Sequence, residues 1–391
     1  MSGPFTIQID LPGGFEGAGA TLALGGELKS SLCLIRDGRA QLTEAIGDLE
    51  QEDIYRHFIR QVESQFEGIL PVRLVIDRHP DYLSSQWGEK LARQHGIELT
   101  AIQHHHAHIA AVMADNARPI DTKPVLGFAL DGLGFGDDGT IWGGEILLAD
   151  YHGFQRLACF QPVAMLGGAA AIHEPWRNTM AHLMPLWHQV SDQFIDVDIV
   201  QFLQGKPVSV LKNMIESGLN SPPASSCGRL FDAVAAALGV YRERVEFEAQ
   251  AAINLEQLAT SCFEDVSQPY AMQLDEGDCL ILNWQPMWLE ILSDLQNGVE
   301  AAHIASRFHH TLIHALTLVA TQLRGQHGFD RIALSGGVFQ NRLLSNWLPK
   351  ALAAQGFEVL QHKQVPAHDG GLSLGQAVVA SVQAHKKSPQ L

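Results

Sequence analysis

Four histidines in five residues, His104-His105-His106-Ala107-His108, are the densest chemistry-bearing feature of the chain. His104 and His108 are four apart, so on a helix both rings share one face, as ligation of a metal by two imidazoles requires. Zinc proteases use the same spacing with a glutamate after the first histidine; here that position is His105, which argues against hydrolase chemistry of that kind. Two imidazoles leave a divalent ion short of charge and ligands, and carboxylates at strand ends are the usual completion. Asp131 directly follows the apolar run Val125–Leu130, and Asp369 sits in His368-Asp369-Gly370-Gly371 before a helical stretch. Taken singly, an Asp before Gly is most often a turn residue, and a lone histidine pair a polar helix face. A set of two imidazoles and two carboxylates suits iron, zinc or manganese without choosing among them.

Three glycine turns are candidates to hold phosphate on backbone N–H groups: Gly25-Gly26, Gly132–Gly134 and Gly336-Gly337. The last reads as strand–SGG–helix, which puts an anion near a helix N-terminus. None is a P-loop. Lys29 could add positive charge beside a phosphate, its plain alternative being a surface lysine. Asp232, in Gly228-Arg229-Leu230-Phe231-Asp232, could accept from ribose hydroxyls, its plain alternative being an acidic residue at a helix N-terminus.

These groups need a frame. Thr21–Leu24 and Ser31–Ile35 read as strands around a glycine turn, and Asp37-Gly38 as a hairpin turn. Ile54, Phe58, Val62 and Phe66 recur at helical spacing over 51–68, Val72–Asp77 reads as a buried strand, 83–95 as helix, and 102–114 as a strand end passing into helix. The pattern then restarts: an apolar strand over Val125–Leu130, a glycine turn at Asp131–Gly134, and a hairpin through Asp138-Gly139. Residues 155–325 read as mainly helical, with loops at 166–177 and 218–229. Arg331–Leu334 reads as a strand, with a helix from about Asn341, a late strand over Phe357–Leu360, a closing helix over 372–384 and a frayed tail over Lys386–Leu391. The restart predicts a duplicated α/β architecture with a cleft between two lobes.

At 391 residues the chain is long for one core, and 46% hydrophobic against 18% charged residues describes a foldable soluble protein. No apolar run reaches the ~20 residues of a membrane span, and no secretory leader is visible at the N-terminus. Five cysteines without a CxxC pair read as reduced thiols of a cytoplasmic protein. A net charge of −17 argues against nucleic acid as the main partner.

The motifs Leu24–Lys29 (LGGELK), Asp77–Tyr82 (DRHPDY), Gln103–His108 (QHHHAH), Leu130–Gly139 (LDGLGFGDDG), Glu174–Arg177 (EPWR), Ser226–Asp232 (SCGRLFD), Ser335–Asn341 (SGGVFQN) and His368–Gly375 (HDGGLSLG) together resemble the C-terminal region of HypF carbamoyltransferases of [NiFe]-hydrogenase maturation, in order over about residues 20–385. The resemblance implies a duplicated, two-lobed actin/sugar-kinase/Hsp70-like α/β fold with a helical insertion at about 155–325, an N-terminal lobe over 1–122 and a C-terminal lobe over 123–391. It implies His104, His108, Asp131 and Asp369 as ligands of a divalent metal, iron or zinc, with magnesium an option beside nucleotide. Gly132, Phe135, Asp232, Gly336, Gly337 and Asn341 become nucleotide contacts, and Lys29 falls in a phosphate-side motif. The acylphosphatase, zinc-finger and YrdC-like modules of full-length HypF have no counterpart in the sequence, so a short form is expected, with carbamoyl-adenylate self-made from carbamoyl phosphate and ATP or supplied by another protein.

The same resemblance implies transfer of carbamoyl from carbamoyl-adenylate to the C-terminal cysteine of HypE, without nucleic acid or membrane. Lys29 is expected to assist catalysis, and His105 or His106 is a candidate base for the thiol or an orienting residue behind a ligand. Three rivals share the fold. A tRNA threonylcarbamoyl transferase is disfavoured by the charge and by His105-His106-Ala107 between the ligand histidines. An antibiotic-type O-carbamoyltransferase differs in using a hydroxyl acceptor, and a nucleotide-binding scaffold differs in having no transfer step.

Overall fold

A computed structural model of the chain describes residues 5–387, apart from 18, 69 and 267. Six strands form a first sheet: β1 (Phe5–Asp10), β2 (Thr21–Ala23), β3 (Cys33–Arg36), β4 (Arg39–Thr43), β5 (Arg73–Asp77) and β6 (Glu98–Ile102), in the order β1-β4-β3-β2-β5-β6. Asp37 and Gly38 both adopt positive φ (51° and 75°), the paired left-handed conformation of a tight hairpin turn, and they reverse β3 into β4 as the sequence predicts. The main path of a second sheet comprises β7 (Val125–Phe135), β8 (Ile141–Ala149), β9 (Phe154–Phe160), β12 (Gln273–Asp275), β13 (Leu280–Asn283), β14 (Arg331–Ser335) and β15 (Glu358–Leu360), in the order β12-β13-β9-β8-β7-β14-β15; the short β10 (Val163–Ala164) and β11 (Pro223–Ala224) attach beside β8.

The two sheets share one plan. β2, β3 and β4 make an antiparallel meander, and β5 then β6 add in parallel on the β2 side. β7, β8 and β9 make the same meander, and β14 then β15 add in parallel on the β7 side. The restart read from the sequence is therefore a topological duplication. Helix α1 (Glu52–Gly68) joins third strand to fourth in the first half, α2 (Leu83–His95) follows β5, and α3 (His104–Asp115) follows β6. In the second half the third-to-fourth connection has grown to hold α4 (Ala170–His173), α5 (Trp176–Leu183), α6 (Trp187–Gln193), α7 (Asp198–Gln204), α8 (Val208–Ser217), α9 (Cys227–Ala237), α10 (Gln250–Thr260), α11 (Gln285–Gln296) and α12 (Ala301–His327). Helix α13 (Arg342–Ala354) then follows β14, and α14 (Leu372–Lys387) follows β15.

The seam between the halves is the helix pair α3 and α14. Every residue of α3 is buried, as expected of a helix enclosed on all sides. α14 packs on α3 and also against β2, β3 and β5, so the last helix of the chain closes on the first sheet. Gly375 makes the approach possible: a Cβ there would lie 1.7 Å from the Ala107 carbonyl oxygen.

Several expectations are corrected. Asp131–Gly134 is no turn; β7 runs on to Phe135 with its register broken between Leu130 and Gly134, a bulge that redirects the side chains at the strand's end. The stretch 155–325 is mainly helical as read, but it opens with β9, an inner strand whose Leu157–Phe160 segment is buried, and β10 to β13 also lie within it. The expected loops at 166–177 and 218–229 contain α4, the start of α5, β11 and the start of α9. Strand β1 was not anticipated, because its polar residues alternate along a half-exposed edge. The closing helix runs to Lys387, and the rest of the expected frayed tail lies outside the described residues. Among the described residues no helix is long and apolar enough to cross a membrane.

Candidate functional site

The duplicated frame brings three kinds of chain end to one point: the bulged end of β7, the N-terminus of α3, and the turn entering α14. Gln103 starts α3 by capping it, its side chain accepting from the His106 N–H (2.9 Å) and donating to the Phe135 carbonyl (3.1 Å). His104 and His108 then face Asp131 and Asp369, with one donor atom from each of the four within 4.8 Å of the others. His108 Nε2 lies 3.0 Å from Asp131 Oδ2 and 3.3 Å from Asp369 Oδ1; His104 Nε2 lies 3.5 and 3.6 Å from the same atoms.

The far nitrogen of each ring is held separately. His104 Nδ1 pairs with Asp77 Oδ2 at 2.8 Å, and His108 Nδ1 with Ser335 Oγ at 3.2 Å. Both Nε2 atoms are thereby aimed at the common centre, and that of His104 is buried without a hydrogen-bond partner. Burial alone would strip the proton from His104, but Asp77, Asp369 and Asp131 overrule it and hold the imidazole well above its ordinary pKa. His108 is raised by Asp131 and Asp369 against the same burial. Burial pushes Asp131 and Asp369 up, but the two rings hold both carboxyls below their usual range. The centre thus demands positive charge, and two imidazole nitrogens with two carboxylates are a donor set that fits a divalent cation.

Two adjoining chambers meet at this centre. The first, about 240 Å³, is walled by Phe231, Ala252, Ile253 and Val338 and carries Asp232 and Asn341. The second, about 280 Å³, is walled by Leu28, Leu133, Phe135, Ile141 and Ile172 and carries Glu27, His79, Tyr82 and His368. Lys29, Asp131, Gly132, Arg229, Glu248 and Gly337 line both.

Of the residues anticipated as nucleotide contacts, Gly132, Asp232, Gly337 and Asn341 line the first chamber, while Phe135 stands in the second. Gly336 borders neither; at φ +107° it packs on the Leu130 carbonyl, which a Cβ would meet at 2.1 Å, and its N–H bonds Ala367 O. The anticipated glycine N–H cradles are largely engaged within the protein: Gly25 donates to Gln376, and Gly132 to Asp131 Oδ1 (2.8 Å), which Gly337 approaches at 3.3 Å. Asp232 lies inside α9 rather than at its start, where Ser226 is the cap. Burial pushes its carboxyl up to about 6, with Arg229 opposing and Glu248 adding. Lys29 reaches across the cleft to Glu248 (2.8 Å); burial works against its charge, but Glu248, Asp369 and Asp131 hold it above the ordinary lysine range.

The two histidines anticipated as bases are placed against that role. His106 points to the opposite side of α3, where its Nε2 meets the Asp150 carbonyl (2.6 Å), because a two-residue step turns it away from His104. His105 is fully enclosed, beside the Trp142 ring and Gln103, and burial drives its pKa well down. Neither lines a chamber.

Three residues lie in motifs named from the sequence but were given no role there. Asp77 orients His104; its position at the end of a buried strand was the available signal. Ser335 plays the matching part for His108. Arg229 is 7% exposed, pairs with Asp232 Oδ2 (3.0 Å), and leaves Nε and Nη1 buried without partners beside both chambers. Buried guanidinium donors without partners are costly unless an anion meets them.

The fold and site define a two-lobed α/β protein built on one strand plan used twice, with an imidazole–carboxylate cluster in its interlobe cleft. Two family models cover the chain, the HypF Kae1-like domain at residues 16–115 and the second subdomain of the carbamoyltransferase Kae1-like domain at residues 127–376. The chain belongs to the HypF carbamoyltransferase family. It is 37% identical to the carbamoyltransferase HypF of Rhodobacter capsulatus, over 96% of this chain and 48% of that one, and 36% identical to a HypF homolog of Cupriavidus necator, over 95% and 94%. It therefore spans about half the length of the former and nearly all of the latter. A crystal structure of full-length HypF in a phosphate- and nucleotide-bound form superimposes with a TM-score of 0.86 at 33% identity, over 96% of this chain and 56% of that one. HypF of T. kodakarensis does so at 0.84 and 30%, over 97% and 50%.

Proposed function

We propose that this chain transfers a carbamoyl group from carbamoyl-adenylate to a thiol, the C-terminal cysteine of HypE, as a step toward the cyanide ligands of the [NiFe]-hydrogenase iron. The observation that carries this reading is the meeting of two chambers at one charged centre, a layout for a donor on one side and an acceptor on the other. The first chamber suits the adenosine: apolar walls for the base, with Asp232 and Asn341 as polar contacts. Arg229 and Lys29 stand where the phosphate joins the carbamoyl group, Arg229 with two unpartnered donors and Lys29 with its charge secured. Positive charge there steadies the leaving phosphate.

His104, His108, Asp131 and Asp369 would hold a divalent cation, iron or zinc by ligand type. When bound it would supply Lewis acidity next to the phosphate and carbonyl oxygens. The chain's own groups bind and orient: Asp77 and Ser335 fix the two rings, and the apolar chamber walls seat the donor.

The test is thiocarbamate formation on a HypE tail, followed by mass spectrometry with prepared carbamoyl-adenylate, alongside metal analysis of the protein. His104→Ala and Asp369→Ala are each expected to lose the metal and at least about 100-fold in transfer. Normal transfer by both variants would refute the site. A hydroxyl acceptor preferred over the thiol would move the chain to O-carbamoyl transfer, and HypE binding without transfer would leave it a scaffold.

A further inference from the structure

The removal of His105 and His106 leaves the acceptor's proton without a destination. A thiol R–SH attacking the carbamoyl carbon forms an S–C bond, breaks the C–O bond to the leaving phosphate, which departs with that electron pair, and must give up its proton. The groups lining the second chamber can be taken in turn. Lys29 is kept protonated by Glu248, and Glu248 is exposed and engaged by Lys29. Asp131 and Asp369 face the histidine pair. Burial pushes the Tyr82 hydroxyl far up, so it is no base. Arg229 carries only donors.

His79 and His368 look suitable but carry the wrong tautomer. His79 Nδ1 accepts the Asp81 N–H (3.2 Å), and His368 Nδ1 accepts the Gly370 N–H (3.0 Å). A neutral ring so held keeps its hydrogen on Nε2 and can only donate from that side. Glu50 is exposed to solvent.

Glu27 remains. It is 7% exposed and borders the second chamber, one residue from Gly26, whose Cα side faces the Asp369 carboxylate. Its Oε2 accepts the Leu83 N–H (2.8 Å), which fixes the carboxyl group on the first turn of α2 while Tyr82 supplies no side-chain cap there. We infer that Glu27 is the general base of the transfer reaction, taking the proton of the acceptor nucleophile from the second chamber. The inference rests on the carbamoyl-transfer reading above.

Its surroundings suit that task at neutral pH. Burial pushes the carboxyl up to about 7, the Leu83 and Ser84 N–H groups oppose this, and Glu50 and Asp48 add to it. The titratable and charged groups around it are Asp48 and Glu50 from the segment after β4, Tyr55 from α1, Tyr82 and His79 ahead of α2, and Lys29 from its own segment. A base works best with a pKa near the working pH.

The experiment compares the 391-residue protein with its Glu27→Gln variant, using prepared carbamoyl-adenylate and a cysteine-terminated peptide, between pH 6 and 9. Glutamine can still accept the Leu83 N–H but cannot take a proton. The wild-type rate is expected to rise and level off near pH 7. The variant is expected to be about 100-fold slower at pH 7 and to gain about tenfold per pH unit until the thiol ionises by itself near ~8.5, so that the gap narrows to about threefold. AMP affinity is expected to be unchanged, and thermal stability at neutral pH to be equal or higher, since the amide carries no buried charge. Coincident profiles would overturn the proposal, as would a deficit constant with pH and accompanied by a lower Tm, which marks a capping role alone. A wild-type protein that binds AMP yet passes carbamoyl to neither thiol nor water would overturn the transfer reading and this proton step together.

Discussion

The two halves share a strand plan and divide the chemistry. Where β5 ends, the first half places Asp77, which steers His104; where β14 ends, at the equivalent position, the second half places Ser335, which steers His108. After the fifth strand, the first half starts a helix with His104 and the second prefaces its helix with Asp369. The end of β7 carries Asp131, whereas the equivalent end of β2 runs into Leu24-Gly25-Gly26 with no carboxylate. A duplicated frame converges the same chain ends on one centre, and substitution at matched positions then supplies imidazole from one side and carboxylate from the other. The enlarged connection of the second half adds the first chamber; its helix α9 carries Arg229 and Asp232.

The largest break in this comparison is expected at the seam. Gly375→Ala would drive a Cβ into the Ala107 carbonyl and part the helices that join the halves. The expected cost is about 3 kcal/mol or more, read by denaturant unfolding, with loss of metal binding as a consequence; a cost under 1 kcal/mol would mean that the halves do not depend on this contact.

Next comes a device of the second half alone. The Asp232 carboxyl sits near 6 when folded and near 3.9 when unfolded, so between those values the folded state binds more protons. Its contribution to stability therefore falls as pH rises from about 4 to about 6, by on the order of 3 kcal/mol. The stability of Asp232→Asn relative to the unsubstituted protein should climb over that window and stay level above it, measured by urea unfolding at pH 4 to 8. A flat difference would show that Asp232 ionises normally.

A first-half counterpart is Asp77→Asn. It keeps the shape of the His104 contact but weakens its polarisation, and metal affinity is expected to fall about 10–100-fold with little change in Tm. The matching second-half change, Ser335→Ala, should cost less, since it removes a neutral hydroxyl. Competition with a chelator reads both, and equal losses would erase the asymmetry between the halves. The smallest effect belongs to Lys29→Met as a matter of stability. The Lys29–Glu248 bridge is part-exposed and worth under about 1 kcal/mol, whereas the phosphate role predicts a clear loss of AMP affinity by calorimetry.

The chain itself determined much of this. The histidine spacing, Asp131 after an apolar run, Asp369 before a closing helix, the hairpin at Asp37-Gly38 and the restart at Val125 are local patterns, legible because side-chain periodicity and turn chemistry act over a few residues. Contacts decided the rest. His104 and His106 differ by two positions in one motif, yet one faces the cluster and the other the Asp150 carbonyl, because only packing on β7 and α14 says which side of α3 is the site. Asp77 meets His104 across 27 residues and Ser335 meets His108 across 227, distances over which no spacing rule operates. Cys159 and Cys279, scattered in sequence, lie 3.6 Å apart where β9 meets β13. The four ligand types could be picked from the chain; their convergence, the orphaned donors of Arg229 and the burial that sets Glu27 apart exist only once the two sheets have closed on α3 and α14.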